Sequence, residues 1–149
     1  GVTEGPRRQP RTLADFEPLR PAEPMLLDER DTGLPVVIGA TRPEADAPPE
    51  VRIRAGFLRW VILGAEGASG RTHEKGVRIV GAFIESDGPK GAETRGLDLG
   101  GCAVDGDISL HRCRFEDTLW FDGARLAGLY LDGSWTPGLV AERLETRGA

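Results

Sequence analysis

Residues 124–138, on which the fold prediction depends most, read Ala-Arg-Leu-Ala-Gly, Leu-Tyr-Leu-Asp-Gly and Ser-Trp-Thr-Pro-Gly. Side chains two positions apart on an extended segment point to the same side. The first and third residues of each five are therefore expected to face inward, and the glycine is expected to turn the chain. The same spacing covers much of residues 77–149, in the pairs Val77/Ile79, Ala82/Ile84, Leu97/Leu99, Cys102/Val104, Ile108/Leu110, Cys113/Phe115, Leu119/Phe121, Ala124/Leu126, Leu129/Leu131, Ser134/Thr136 and Leu139/Ala141.

Four such groups make a coil of about twenty residues, within the range of repeat lengths typical of solenoids. Stepping by one coil connects Val77, Leu97, Leu119 and Leu139, which are all apolar. Backbone hydrogen bonds between stacked coils would hold them about 4.8 Å apart. The spacing thus predicts a mainly β protein, with about three coils over residues 77–149.

Residues 124–138 resemble degenerate repeats of the pentapeptide-repeat family, and the resemblance extends over Val77–Ala149. The segments 51–55, 57–60, 75–79 and 81–82 are similar to the opening of certain bacterial pentapeptide-like proteins, which are generally longer. This resemblance implies a right-handed quadrilateral β-helix and the N-terminal part of a longer protein. Some such relatives are labelled membrane-associated oxidoreductases, but this sequence has neither a GxGxxG motif after a strand nor a redox cysteine pair.

The first fifty residues differ from the rest because they hold nine of the eleven prolines and ten of the acidic residues. Short helices are expected after Thr12 and over residues 22–30, and short strands at 35–39 and 51–53. The apolar side chains of residues 55–63 predict a helix that covers one end of the coils. The predicted organisation is a Pro-rich acidic arm (1–50), a strand with a capping helix and loop (51–76), and the coils (77–149).

Composition excludes several classes of function. A formal net charge of −5 argues against direct nucleic-acid binding through the phosphates. No apolar run reaches the roughly 18 residues that a membrane span needs. Two cysteines without a CxxC motif and two histidines are too few for a Cys/His metal site. We expect a cytoplasmic protein without metal or cofactor, in which membrane association would come only through a C-terminal continuation.

Three groups of reactive residues have simple structural explanations. Cys102 and Cys113 occupy small inward positions, where thiols act as small apolar groups. His73-Glu74 and His111 are expected to be solvated. The glycine-rich segment 64–72 lacks the Gly-Lys-Ser/Thr ending of a phosphate loop. No catalytic, cofactor-binding or metal-ligating residue is therefore predicted.

Large aromatic side chains stand between inward neighbours and are expected to face outward. Exposed aromatics often mark protein contacts. The candidate interaction surface consists of Trp120, Tyr130 and Trp135. Packing of the N-terminal arm over these rings is the alternative explanation.

We therefore expect a non-enzymatic scaffold that binds a protein partner, or a second copy by stacking of coils, through a rigid wall. One alternative is a regulatory or structural module of a larger membrane-associated protein or enzyme. The other is an acidic mimic of DNA that binds a topoisomerase, as some pentapeptide-repeat proteins do. The acids Asp98, Asp105, Asp107, Glu116, Asp117, Asp122 and Asp132 would supply its charge, although Arg78, Arg112, Arg114, Arg125 and Arg143 are interspersed with them.

Overall fold

A computed structural model of the chain describes residues 12–29, 32–64, 76–87 and 96–147. Helix α1 spans Glu23–Glu29 and helix α2 spans Ala55–Ile62, and 3₁₀ turns cover Leu13–Phe16 and Pro49–Val51. The Thr12 amide donates to Asp15 Oδ2 at 2.7 Å, so the first turn begins at the residue that the sequence indicates. The helices expected after Thr12 and near residues 22–30 and 55–63 are thus present.

The strands are short, with two to five residues each. They are β1 (Val36–Val37), β2 (Arg52–Arg54), β3 (Gly76–Val80), β4 (Phe83–Glu85), β5 (Asp107–His111), β6 (Arg114–Phe115), β7 (Leu119–Trp120), β8 (Arg125–Leu126), β9 (Gly128–Tyr130), β10 (Leu139–Val140) and β11 (Glu145–Thr146).

All strand pairs are parallel, and they form four sheets with the orders β1-β3-β5-β9, β2-β4-β6, β7-β10 and β8-β11. Isolated bridges extend three of these sheets by one residue each: Trp135 pairs with β6, Asp98 with β7 and Ala103 with β8. Every sheet therefore has an outer edge contributed by one of the last segments of the chain.

As far as Leu126, the side chains that the five-residue spacing places inward are buried in one core, except Cys102 and Val104, which are partly buried. The later pairs from Leu129 to Ala141 are only partly buried, and Leu139 is exposed. Leu99, Ile108, Leu110 and Phe121 have no exposed surface, and they belong to the same cluster as Phe57 from α2. Phe16 packs edge-on against Phe57, with ring centroids 5.3 Å apart, so the N-terminal turn shares this core. Parallel sheets bury apolar residues in this way because helices or other strands cover them.

The predicted architecture, a right-handed quadrilateral β-helix or solenoid of about three coils with pentapeptide repeats, is wrong. The described residues form a mixed α/β fold whose four small sheets neither close nor continue as a solenoid. The predicted separation of about twenty residues between paired strands is present only late in the chain. Leu119 pairs with Leu139, 20 positions later, but Gly76 pairs with Asp107, 31 positions later. Side-chain spacing specifies which positions are buried, whereas it does not specify how far backbone pairing continues through each turn.

Some predictions concern residues that lie outside the described ranges. Residues 65–75 contain most of the glycine-rich segment 64–72 and the His73-Glu74 pair. The division of the chain at residues 50 and 76 stays a prediction.

The N-terminal segment is held by an ion pair between Glu23 of α1 and Arg54 of β2. The Glu23 side chain has no exposed surface, and its carboxylate accepts from the Arg54 amide (2.9 Å), Nε (3.0 Å) and Nη2 (2.7 Å). It also accepts from the Arg20 amide at 2.9 Å. These bonds to Glu23 raise the pKa of Arg54 above its usual value, so Arg54 stays charged.

Candidate functional site

The three aromatic residues predicted as an interaction surface are all exposed: Trp120 by 41%, Tyr130 by 45% and Trp135 by 41%. They lie on three different sheets. The register partners of Trp120 are Asp98 and Val140. Tyr130 is the register partner of Ser109, and Trp135 is that of Arg114. The outward orientation is as expected from the spacing, but the rings do not share one sheet. Their role in binding stays a prediction.

The outer edges of the four sheets that are formed by the last segments of the chain carry apolar side chains. We define the C-terminal edge as residues 129–131, 134–136, 139–141 and 144–146. Leu119 and Leu139 are register partners in the β7–β10 sheet, yet Leu119 has no exposed surface and Leu139 is 48% exposed. The apolar side chains of this edge that pack only partly against the core are Leu129, Leu131, Ala141 and Leu144. Apolar side chains that continue the hydrophobic core are therefore partly exposed at this edge.

Side chains from the helices cover the opposite side of the sheets. The Arg54 amide of the edge strand β2 donates to Glu23 Oε2, and Arg59 Nε of α2 donates to the Asp98 carbonyl at 2.9 Å. Edge groups that are paired in this way cannot accept another strand. Among the described residues such cover is present at the N-terminal side and not at the C-terminal edge, which makes this edge a candidate binding site.

A row of alternating cationic and aromatic side chains leads to this edge across the β2-β4-β6 sheet. Arg52, Phe83, Arg114 and Trp135 are successive register partners. The Arg52 guanidinium lies 4.4 Å from the centroid of the Phe83 ring, and that of Arg114 lies 4.3 Å from the Trp135 ring. Both distances are within the range of a cation–π contact. Trp135 is the last member of the row.

The backbone beside Trp135 is suited to accept another strand. The Trp135 amide donates to the Cys113 carbonyl, and its own carbonyl accepts from the Phe115 amide, both at 2.9 Å. In a parallel pair the flanking carbonyl of Ser134 and amide of Thr136 then point away from β6. Within the described part of the chain neither group has a hydrogen-bond partner. One acceptor and one donor are thus free at the spacing that a parallel strand uses.

Charged groups elsewhere on the surface are intermixed. Arg143 pairs with Asp122 at 2.7 Å, and Arg125 is in register with Glu145. An open depression of about 280 Å³ lies between residues 103–105, 125–126 and 145–147, where Arg147 donates to the Asp105 carbonyl. Its lining carries two arginines, one aspartate and one glutamate, so it does not present a single charge to a small ligand.

The two cysteines are free thiols with different surroundings. Cys102 is half-buried, and Arg59 Nη2 lies 3.8 Å from its sulfur. Cys113 is buried, and its sulfur lies 3.5 Å from the His111 carbonyl and 3.9 Å from that of Ile79. Burial raises the pKa of the Cys113 thiol to about 11, although backbone hydrogen bonds at Ala82 and Gly81 oppose this shift. Cys113 is thus held as a neutral thiol, consistent with a structural position.

We expect this thiol to make the protein less stable at alkaline pH. An unfolded cysteine ionises near its ordinary pKa of 9.0, whereas folded Cys113 stays protonated until about pH 11. Between these values the unfolded state binds fewer protons, so the free energy of unfolding falls as pH rises, by about 2 kcal/mol at pH 11. Urea unfolding of wild type and Cys113→Ala at pH 8 and pH 11 measures this term. An equal pH dependence in both proteins would contradict it.

The comparisons with known proteins give no match: no protein-family model fits the chain, and no curated protein or solved structure is significantly similar to it. The membership of the pentapeptide-repeat family that the resemblance implies therefore stays a prediction.

The described residues contain neither a metal-ligand cluster nor a membrane-spanning helix. No group of three or more His, Cys, Asp or Glu side chains within these ranges could hold a metal ion. Neither α1 nor α2 has the length and apolar composition needed to cross a membrane.

Sequence reasoning identified the exposed rings but missed the row that ends at Trp135 and the exposed Leu139. The row could not be found by spacing, because Phe83 and Arg114 are 31 positions apart while Arg114 and Trp135 are 21 apart. A partial signal existed, since Arg114 and Trp135 both stand between two inward positions.

Proposed function

We propose that this chain is a non-enzymatic protein-binding module that recognises an extended segment of a partner at its C-terminal edge. The observation that carries the proposal is the contrast between the fully buried Leu119 and its half-exposed register partner Leu139. A strand added beside β10 would cover Leu139 in the same way that β10 covers Leu119. Each leucine-sized side chain removed from water contributes roughly 1.5–3 kcal/mol.

Backbone pairing supports the same proposal. Addition of a strand to an open sheet edge gains main-chain hydrogen bonds, while alternate side chains give specificity. Within the described residues the Ser134 carbonyl and the Thr136 amide are free for such pairing at the edge of the β2-β4-β6 sheet, whereas Leu139 lies at the edge of the β7-β10 sheet, so the partner segment has to follow the edge across both sheets. The opposite side of the sheets is covered by Glu23 and Arg59.

The proposal predicts that a charge at Leu139 abolishes peptide binding. A library of random seven-residue peptides displayed on phage is selected on immobilised protein, with wild type compared with Leu139→Lys. We expect enrichment at least tenfold above background for wild type and none for Leu139→Lys, because the ammonium would have to be desolvated beneath the added strand.

Leu34→Lys is the matched control for this experiment. Leu34 is 60% exposed and lies in the N-terminal segment, away from the C-terminal edge, so enrichment should match that of wild type. Equal enrichment with Leu139→Lys, or the absence of any enriched peptide on wild type, would contradict the proposed function.

Cytoplasmic location, the larger-protein alternative and the topoisomerase-binding alternative stay predictions. The last requires a continuous acidic stripe, whereas Asp98 lies in register with Trp120, and Asp122 is paired with Arg143.

A further inference from the structure

We propose that the outer face of the β1-β3-β5-β9 sheet binds a neutral saccharide, with Ser109 at the centre of the site. This inference goes beyond the proposed function, because Ser109 lies on the interior strand β5 and not at the C-terminal edge.

Five polar side chains share this face of the sheet. They belong to Arg78, Asp107, Ser109, His111 and Tyr130. Ile108 and Leu110 of β5 have no exposed surface, so the side chains that alternate with them point to the outer face. Arg78 of β3 and Tyr130 of β9 are the register partners of Ser109 on its two sides. Ser109 is therefore surrounded by polar side chains, both along β5 and across the sheet.

The hydroxyl group of Ser109 has no hydrogen-bond partner in the described part of the chain, although the residue is only 9% exposed. Polar groups that are this deeply buried are nearly always hydrogen-bonded, so an unpaired one calls for an explanation. The side chains of Arg78, Asp107, His111 and Tyr130 likewise form no hydrogen bond or ion pair within the described residues. A ligand above Ser109 would give all five groups a partner.

Gly128 lets two of these groups converge. It is the register partner of Asp107, on the strand that carries Tyr130. A Cβ atom on Gly128 would lie 3.0 Å from both Asp107 Oδ1 and Tyr130 Oη, and 2.9 Å from Tyr130 Cε2. The carboxylate and the phenol hydroxyl therefore approach the same point above the Gly128 backbone, where a larger residue would push them apart.

The charges on this face favour a neutral ligand. Arg78 is positive and Asp107 is negative, so their charges sum to zero. An anion would be repelled by Asp107 and a cation by Arg78. A hydroxyl group both donates and accepts, so it can donate to the carboxylate and accept from the guanidinium. A ligand with several hydroxyl groups matches this mixture of donors and acceptors, and a saccharide is such a ligand.

The ring of Tyr130 supplies an apolar surface beside the polar groups, since the residue is 45% exposed. A tyrosine ring presents an apolar body with a polar end. A sugar ring has the matching character, because its C–H groups form an apolar face and its hydroxyl groups lie around the rim. Neighbouring strands are about 4.8 Å apart, so the row from Arg78 to Tyr130 spans about 10 Å, which leaves room for more than one sugar unit.

The test is electrophoresis of the full chain in native gels that contain a neutral polysaccharide. The probes are a glucan (dextran), a mannan, a galactan and a xylan, each compared with a gel that contains none. We expect at least one probe to retard the protein, and an oligosaccharide of that probe to bind in calorimetric titration. Dextran sulfate should retard it no more than dextran, because Asp107 repels the sulfate groups.

Ser109→Ala and Asp107→Asn test the site with little change in size. Each should weaken binding of the oligosaccharide at least fivefold, because a hydrogen bond to the sugar is lost or weakened. Asp46→Asn is the matched control for the charge change, since Asp46 is exposed and lies in the segment between β1 and β2. It should bind as wild type does. Circular dichroism of each variant establishes that it is folded.

Tyr130→Leu and Trp120→Leu form a second pair, because the two rings are 45% and 41% exposed and lie on different sheets. Tyr130→Leu should weaken binding at least threefold, whereas Trp120→Leu should leave it unchanged.

Three outcomes would overturn the inference. The first is that none of the four neutral probes retards the protein. The second is that retardation persists unchanged in Ser109→Ala, Asp107→Asn and Tyr130→Leu, which would place the saccharide elsewhere. The third is stronger retardation by dextran sulfate than by dextran, which would identify an anion site. None of these outcomes affects the peptide selection with Leu139→Lys, so the two proposals succeed or fail separately.

Discussion

Glu23→Ala is expected to lower the free energy of unfolding by about 3–5 kcal/mol, because it breaks a buried ion pair and leaves one charge without its partner. Arg54 would keep the Phe16 carbonyl as an acceptor, at 2.5 Å, and its attraction to Glu85 and Asp87, but would lose three bonds to the carboxylate. The Arg20 amide would lose its acceptor as well. In a chain of this length the midpoint of thermal unfolding should fall by about 10 °C.

Urea unfolding followed by circular dichroism measures this effect. Glu50→Ala is the matched control, since Glu50 is exposed, and the change there should stay within about 0.5 kcal/mol. A loss below 1 kcal/mol for Glu23→Ala would show that the ion pair contributes little to the stability of the N-terminal segment.

Gly81→Ala is expected to be the second most damaging change, with a loss of about 3–4 kcal/mol. Gly81 follows β3 and has a φ of 80°, a conformation that costs an L-residue about 1–2 kcal/mol. A Cβ atom there would overlap the Gly39 carbonyl oxygen and would lie 2.6 Å from the carbonyl carbon. Because both contacts are with backbone, the segment that carries β1 would have to move and would lose its pairing with Val80.

Gly101→Ala separates the two contributions to this loss. Gly101 has a φ of 72°, but a Cβ atom there would meet nothing within 4 Å. Only the conformational term of about 1–2 kcal/mol should remain. Chemical denaturation of both variants gives the difference, and equal losses would mean that the contact between Gly81 and Gly39 is relieved without disturbing β1.

The positions of the buried side chains could be predicted from the sequence, because alternation on an extended segment is a local property. Leu97, Leu110 and Phe115 are buried where the spacing places them. The two helices were also predictable, one from the apolar side chains of residues 55–63 and the other as a short helix over residues 22–30 that ends before Gly33 and is kept short by nearby prolines. These signals lie within a few residues of one another along the chain.

The sheet organisation and the binding edge could not be predicted in the same way. Both the sheets and the edge depend on which segments pair with each other. The sequence separation between paired residues changes from 31 positions for Gly76 and Asp107 to 20 positions for Leu119 and Leu139. The burial of Glu23 was equally hidden, since an acidic residue at the start of a helix ordinarily faces solvent. Its partner Arg54 lies 31 positions later in the sequence.

The order of the strands has a consequence for how the molecule forms during synthesis. In the sheet β1-β3-β5-β9 the spatial order is also the order along the chain. A ribosome releases the chain from its N-terminus, and emerging segments can fold before synthesis is complete. Each strand of this sheet then leaves the ribosome after the neighbour it pairs with, so the nascent chain can grow by templated addition, with β9 joining last.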